Sequence, residues 1–450
     1  MTRLLYPTTN LKVLEQLVIA RGAGVYVWDH HGKQYLEGMA GLWCTALGYG
    51  NEELIEAATA QMRQLAYTHL FGGKSHQVAI DLAERLAAMV PIKDAHVFFG
   101  LSGSDANDTH WKLLRYYFNA IGQPARRKII VRDRAYHGVT VASAAMTGLA
   151  SNHAHFDLPF SALGIIRTDA THFYRQGLPG ESEADFATRL AANLEQLILR
   201  EGPETIAAFL AEPVSGAGGV VLPPNTYWEK VQAVLRRYNI LLIADEVITG
   251  FGRTGHDFGA TTYGIRPDMM TVAKALSSAY VPISAAIVRG EMYDALVEPS
   301  AKVGMFGHGY TYSGHPVGCA VALKALEIYE RERTFEHAAR VGAYFQRRLR
   351  SLADHPLVGE VRGVGLLAAV ELVPNKSARS AFEGGRVGIF AQNCALEHGL
   401  ILRNVAGSSL AICPPLIITE AQVDELVDKL GRALDGTLAF VDKEGLRAAA

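Results

Sequence analysis

The sequence predicts an α/β protein, with a large domain built on a mostly parallel sheet flanked by helices and a smaller α+β domain drawn from both chain ends. Three observations predict it. From Glu52 onward, short and continuously apolar runs alternate with helical stretches, and strands covered by helices on both faces read as such runs. Residues 1–50 show hairpin-like alternation instead, and the last part of the chain changes to an α+β pattern. At 450 residues, the chain is long enough for one large domain with a smaller one attached.

Taken in order, GVYVWD (Gly24 to Asp29) and QYLEG, joined by the turn HHGK, alternate well enough for a hairpin, so residues 1–50 form a segment joining the small domain. NEELIEAATAQMRQL and SHQVAIDLAERLAAMV have helical periodicity, and AHVFFG reads as the first buried strand. Further strand candidates are RKIIVRD (Arg127 to Asp133), IAAFLAEP (Ile206 to Pro213), ILLIADEV (Ile240 to Val247), MMTVAK (Met269 to Lys274) and SAAIVRG (Ser284 to Gly290). Helical stretches such as TYWEKVQAVLRRYN separate most of them, making residues 51–317 the large domain. A boundary near Gly318 leaves residues 318–450, with VGEVRGVGLLAAVELV and the helix TEAQVDELVDKLGRAL, as the small α+β domain.

Composition excludes several classes of function. A hydrophobic content of 49%, a charged content of 20% and a net charge of -2 suit a globular protein. The densest basic stretch, Arg126-Arg127-Lys128, is short and lies beside a strand, so nucleic acid is not an expected partner. No apolar run approaches the roughly 20 residues that span a bilayer, and MTRLLYPTTN lacks the core of a signal peptide. No membrane partner and a cytoplasmic location are therefore expected. Cys44, Cys319, Cys394 and Cys413 form no C-x-x-C pair, which fits a reducing compartment. The histidines include His30-His31 in a turn and His153/His155 in a polar loop, without an H-E-x-x-H pattern, and no metal site is expected.

Ligands of an open parallel sheet bind at the carboxyl ends of its strands, so the residues that follow each strand carry the most information. Leu101-Ser102-Gly103-Ser104-Asp105-Ala106-Asn107 runs from strand to helix with small residues at the bend; it suits a phosphate at the positive end of a helix, or a plain Ser/Asp cap. Asp245 and Glu246 end an apolar strand, where buried carboxylates call for a cationic partner. A protonated pyridine nitrogen would serve, as would the magnesium of a Walker B strand. That second reading needs a Walker A loop, and Gly72-Gly73-Lys74-Ser75 puts Thr68 where the first glycine belongs. Lys274 closes MMTVAK, where desolvation would free its amine to attack an aldehyde, although a strand-end lysine can also snorkel to solvent. Tyr136 after RKIIVRD could stack on a ring or simply pack in the core. An anion cradle, an acid for a ring nitrogen and an amine for an aldehyde are together the three handles of pyridoxal 5'-phosphate (PLP).

With those residues assembled, the chain resembles the class III aminotransferases of PLP fold type I, and within them the ω-amine:pyruvate branch. The likeness runs from about Asn10 to Val441 and is carried by GLWCTALGYG, SGSDAN, AYHGVTVASAAMTG, AEPVSGAGGV, ADEVITGFGRTG, the segment from Lys274 to Pro282, and HGYTYSGHPVGCAVAL. The resemblance implies a large domain with a sheet of the seven-stranded type. It implies Lys274 as the Schiff-base lysine and proton carrier, Asp245 on the pyridine nitrogen, Tyr136 and Val247 against the ring, and Gly103 with Ser104 on the phosphate. Thr311 would complete the phosphate site of a neighbouring subunit, making a homodimer, or a dimer of dimers, the working form. Glu212 matches an acidic position with a hydrogen-bonding or gating role. Leu42, Trp43, Phe71, Ala217 and Ile248 match positions that shape the substrate pockets, and Arg403 matches a mobile arginine for substrate carboxylate. Leu101 stands where the branch often has asparagine and Asp105 where it usually has glutamate, so a slightly different phosphate cradle is expected. The implied reaction is a ping-pong transfer from a primary amine or ω-amino acid to pyruvate or another small keto acid. A decarboxylase or aminomutase would use the same lysine and aspartate, and a P-loop ATPase is the remote rival.

Overall fold

The apolar runs become strands whose successive residues enter opposite cores. The computed structural model describes residues 3–12 and 16–447. Its strands in chain order are β1 (Ile19–Ala23), β2 (Tyr26–Asp29), β3 (Gln34–Glu37), β4 (His96–Gly100), β5 (Lys128–Arg132), β6 (Ile165–Thr168), β7 (Ile206–Ala211), β8 (Leu241–Asp245), β9 (Met269–Val272), β10 (Ser284–Val288), β11 (Val358–Val364), β12 (Leu367–Leu372), β13 (Leu400–Ile401), β14 (Arg403–Val405) and β15 (Ser409–Ile412). A seven-stranded sheet runs β4-β10-β9-β8-β7-β5-β6. β10 is antiparallel to both neighbours, and the other pairings are parallel. Ile130, Phe209 and Leu242 enter the core on one face, while Ile129, Val131, Leu210, Leu241 and Ile243 enter that on the other. This period of two on a doubly covered sheet is why the strands read as unbroken apolar runs.

Two four-stranded sheets, β1-β2-β3-β13 and β11-β12-β15-β14, make the smaller part. β13 pairs in parallel with β3, Leu400 against Leu36 and Ile401 against Glu37, so both chain ends contribute to it. Sequence reading passed over β1, β6, β13, β14 and β15. β1 (IARGA) is mostly exposed, and the others span two to four residues, too few to show a period. Gly318 lies inside the helix Pro316–Arg331, which packs on helices Glu52–Gln64 and Gln77–Met89. Among the described residues, no helix is long and apolar enough to cross a membrane.

A buried ion network fastens the smaller part to the larger. Glu371 of β12 pairs with Arg362 of β11 at 2.7 Å and with Arg175 at 2.6 Å. Arg362 Nε donates to the carbonyl of Gly219 at 3.0 Å. His172, Glu360 and Glu371 bring possible ligand atoms within 4.8 Å of one another, but Arg362 and Arg175 already meet the two carboxylates.

Candidate active site

β4 turns directly into the helix Gly103–Ala120. Ser102 Oγ accepts from the Asp105 amide at 3.2 Å, and the Asp105 carboxylate returns to the amides of Leu101 and Ser102 at 3.0 and 3.1 Å, a closed capping box. The plain-cap reading therefore holds for Ser102 and Asp105. It leaves the first two helical amides, those of Gly103 and Ser104, as donors at the positive end of the helix. The aspartate at 105 removes no anion-binding group, because its carboxylate belongs to the cap. Glycines let the walls close here: a Cβ on Gly103 would lie 2.8 Å from Val247 Cγ2, and one on Gly138 (φ +138°) would lie 2.5 Å from Ser104 Oγ.

Asp245 ends β8 and is only 4% exposed. Its Oδ2 accepts from Asn107 Nδ2 at 2.9 Å and lies 2.8 Å from His137 Nδ1; its Oδ1 accepts from the Val247 amide at 3.2 Å. Asn107 is itself fixed, donating to the His137 carbonyl at 2.8 Å and accepting from Thr271 Oγ1 at 2.6 Å. The expectation of a cationic partner fails for Glu246. That carboxylate accepts from Thr249 Oγ1 at 2.5 Å and from the amides of Gly259 and Ala260 at 2.9 and 2.6 Å, while burial pushes it up to about 7. Neutral donors satisfy it, so it is a structural group.

β9 stops at Val272, and Lys274 opens the single turn Lys274–Ser277 in the left-handed region at φ +46°. Such a conformation is costly for a side chain with a Cβ and persists where its surroundings impose it. Burial lowers the Lys274 pKa, against the pull of Cys44, Asp245 and Glu212, which favours the free amine. Glu212, after β7, accepts from the Tyr136 amide at 3.0 Å and from the Gly216 amide at 2.8 Å. It thereby braces the loop that carries Tyr136 and the one that carries Ala217.

These residues surround a cavity of about 540 Å³. Lys274, Asp245, Gly103, Ser104, Tyr136, Glu212 and Val247 line it, as do Leu42, Trp43, Ala217, Ile248 and Arg403. Trp43 is 2% exposed and packs with Met39, Ile248 and Val405. Arg403, on β14, makes no ion pair among the described residues. The same chain's cavity excludes two candidates, Phe71 and Thr311. Phe71 is 48% exposed on the turn Phe71–Gly73 and sits against Gly309, while the Thr311 carbonyl accepts from Tyr67 Oη at 2.8 Å. Phe71 therefore lies outside the cavity of its own chain. Gly72-Gly73 forms part of that one-turn 3-10 element, without the strand–loop–helix of a Walker A motif.

Sequence reading missed Asn107 and gave His137 no role. A helical count would have found Asn107, since it lies four residues after Gly103 and so on the same face. The donor set fits PLP: two uncommitted amides and the Ser104 hydroxyl for the phosphate, a buried and doubly held carboxylate for the ring nitrogen, and a desolvated amine for the aldehyde.

The family model for aminotransferase class-III matches residues 8–434. A protein of Oryza sativa subsp. indica named probable gamma-aminobutyrate transaminase 2, mitochondrial, is 51% identical over 427 residues, covering 94% of this chain and 85% of its own. The gamma aminobutyrate transaminase 3, chloroplastic, of Solanum lycopersicum is 50% identical over 427 residues, covering 94% and 81%. The omega transaminase from Pseudomonas jessenii solved in complex with PMP superposes with a TM-score of 0.95 at 50% identity, covering 98% of this chain and 97% of that one. A transaminase solved with L-ala gives 0.92 at 54% identity, covering 94% and 100%.

Proposed function

The chain belongs to the class-III aminotransferases, and from that premise we propose that it passes the amino group of a primary amine or ω-amino acid to pyruvate or another small 2-keto acid. It is a PLP-dependent aminotransferase of PLP fold type I. One observation carries the substrate reading: Arg403, with no ion pair among the described residues, lines the same cavity as Lys274, together with Leu42, Trp43 and Ile248. A guanidinium so placed can fork onto the carboxylate of a keto acid and swing aside for an amine that lacks one.

Bound PLP supplies the electron sink that makes the substrate Cα–H acidic. The chain's residues do the rest. Asp245, held by Asn107 and His137, keeps a proton on the ring nitrogen. Gly103 and Ser104 hold the phosphate, Tyr136 and Val247 pack on the ring, and Glu212 keeps the Tyr136 loop in place. Lys274 would take the proton from the substrate Cα and deliver it to the cofactor's former aldehyde carbon across the shared nitrogen, as general base and then acid. The carbonyl product leaves before the keto acid enters the same pocket.

Single donors test this on the holoenzyme: putrescine-like diamines, β-alanine, 4-aminobutyrate, 6-aminohexanoate and arylalkylamines, followed by pyruvate. Stoichiometric conversion of the cofactor to its amine form without added keto acid supports amino transfer, whereas CO2 release or no conversion with any donor counts against it. We place Phe71 and Thr311 in the pocket of a second copy, which makes the protein a homodimer or a dimer of dimers. Light scattering reads the mass, and mixing inactive Thr311→Ala and Lys274→Ala subunits should restore part of the activity. The four unpaired cysteines support a cytoplasmic location, which cell fractionation tests.

A further inference from the structure

Glu37 is a buried carboxylate that the reaction does not use. It ends β3, is 5% exposed and does not line the cavity. Its Oε1 accepts from the Met39 amide at 3.0 Å, its Oε2 faces Tyr49 Oη at 3.4 Å, and the Gly41 amide also bonds to it. These are the first residues of a tight turn. Ala40, Gly41 and Trp43 all have positive φ, at +46°, +66° and +66°, and the Trp43 amide closes onto the Met39 carbonyl at 2.8 Å. Two of these residues are not glycine, so the turn persists only if something holds it. Its product is the presentation of Leu42 and Trp43 to the cavity.

The next residue is pinned on both sides. Gly38 donates to the Ile401 carbonyl at 2.9 Å and accepts from the Cys413 amide at 2.7 Å. A Cβ on Gly38 would lie 2.6 Å from Ile401 O, so this crossing admits only glycine. Ile401 pairs with Glu37 itself and stands two residues before Arg403. One carboxylate therefore sits where the turn bearing Trp43 meets the strand leading to Arg403.

We propose that Glu37 is a positioning residue for substrate choice, whose ionised carboxylate holds the Met39–Cys44 turn and so sets Trp43 against bulky amine donors. The inference rests on the amine-donor reading only for its kinetic test. Burial pushes Glu37 up to about 7, so the hold weakens as pH falls through neutrality. The other titratable groups facing it are Tyr49, Cys44 and Cys413, all pushed upward by burial, with Arg253 and Lys274 beyond the thiols. Lys274 acts on every donor alike, so a ratio between donors removes its titration.

The experiment compares holoenzyme kcat/KM for 1-phenylethylamine with that for isopropylamine between about pH 5.5 and 8.5, in wild type, Glu37→Gln and Glu37→Asp. The expected ratio in wild type rises through a step near 7 as pH drops. Glu37→Gln should show a flat ratio raised roughly tenfold above that of wild type at high pH, the size of one lost charge-assisted hydrogen bond, and Glu37→Asp should restore part of the step. Trp43 emission, obtained by subtracting a Trp43→Phe variant, should show the same step without any donor. If neither amine is accepted but the emission step is present and vanishes in Glu37→Gln, the donor reading fails and the Glu37 assignment stands. A wild type with no step in the emission overturns the assignment even if Glu37→Gln does not fold. So does a ratio unchanged by Glu37→Gln in a folded enzyme.

Discussion

The cofactor edge of the large sheet and the rim of the substrate pocket are built in opposite ways. At the edge, Asp245 accepts from Asn107 and faces His137, and Asn107 is in turn held by Thr271; each group has a partner that itself has a partner. At the rim, Arg403 has no ion pair among the described residues, Leu42 is 52% exposed, and the turn before Trp43 runs through positive-φ residues beside the Glu37 carboxylate. Preorganised groups aimed at developing charge are the main source of rate, whereas donor choice needs only differences of a few kcal/mol. The contrast teaches that this molecule has committed its chemistry and left its specificity adjustable.

Lys274→Ala should give the largest effect, a loss of amino transfer of at least about 10⁴-fold, since base and nucleophile vanish together. Single-turnover absorbance checks it, and persistence of the lysine-linked cofactor band would sink the assignment. Asp245→Asn keeps the shape but removes the charge, and kcat should fall on the order of 10³-fold with the fold intact. A loss below about tenfold would show that the edge is less committed than its hydrogen bonds imply.

Glu371→Ala separates fold from chemistry. It strips Arg362 and Arg175 of their buried partner and should cost about 3–5 kcal/mol of stability, read by denaturant unfolding. Burial raises Glu371, but Arg362, Ser409 and Arg175 outweigh it and hold the group at about 2, below the ordinary 4.5. Its folded pKa is depressed, so its stability is fully present above about 4.5 and lost as pH falls toward about 2. The variant should lose less stability than wild type across that window. The smallest effect sharpens the rim: Arg403→Ala should raise KM for pyruvate roughly 10-fold to 100-fold and leave KM for an arylalkylamine within about threefold. Equal losses for both would make Arg403 a structural group and break the contrast.

Much of the edge was legible because it repeats one rule: strands buried on both faces end at a common crevice, so Gly103, Tyr136, Asp245 and Lys274 could be placed by counting from apolar runs. Glu246 was misread because sequence cannot show that Thr249 and the amides of Gly259 and Ala260 fold back onto it. That Phe71 lies outside its own chain's cavity was hidden for a related reason: its turn follows the packing of Gly309, far away in sequence. Glu37 was invisible as a site, since a glutamate at a strand end looks solvated until β13 arrives beside it.

By itself, the sequence determined the α/β class and the placing of candidate cofactor handles at strand ends, because apolar periodicity and strand-end residues are local properties. Only the tertiary structure decided which carboxylates are held by neutral donors, which aromatic faces its own cavity, and how β3 and β13 bring Glu37 within two residues of Arg403. The last two outcomes depend on contacts between segments hundreds of residues apart, and the first on a loop folding back onto Glu246 from residues up to 14 away, and burial sets the charge of a group only once such contacts have closed.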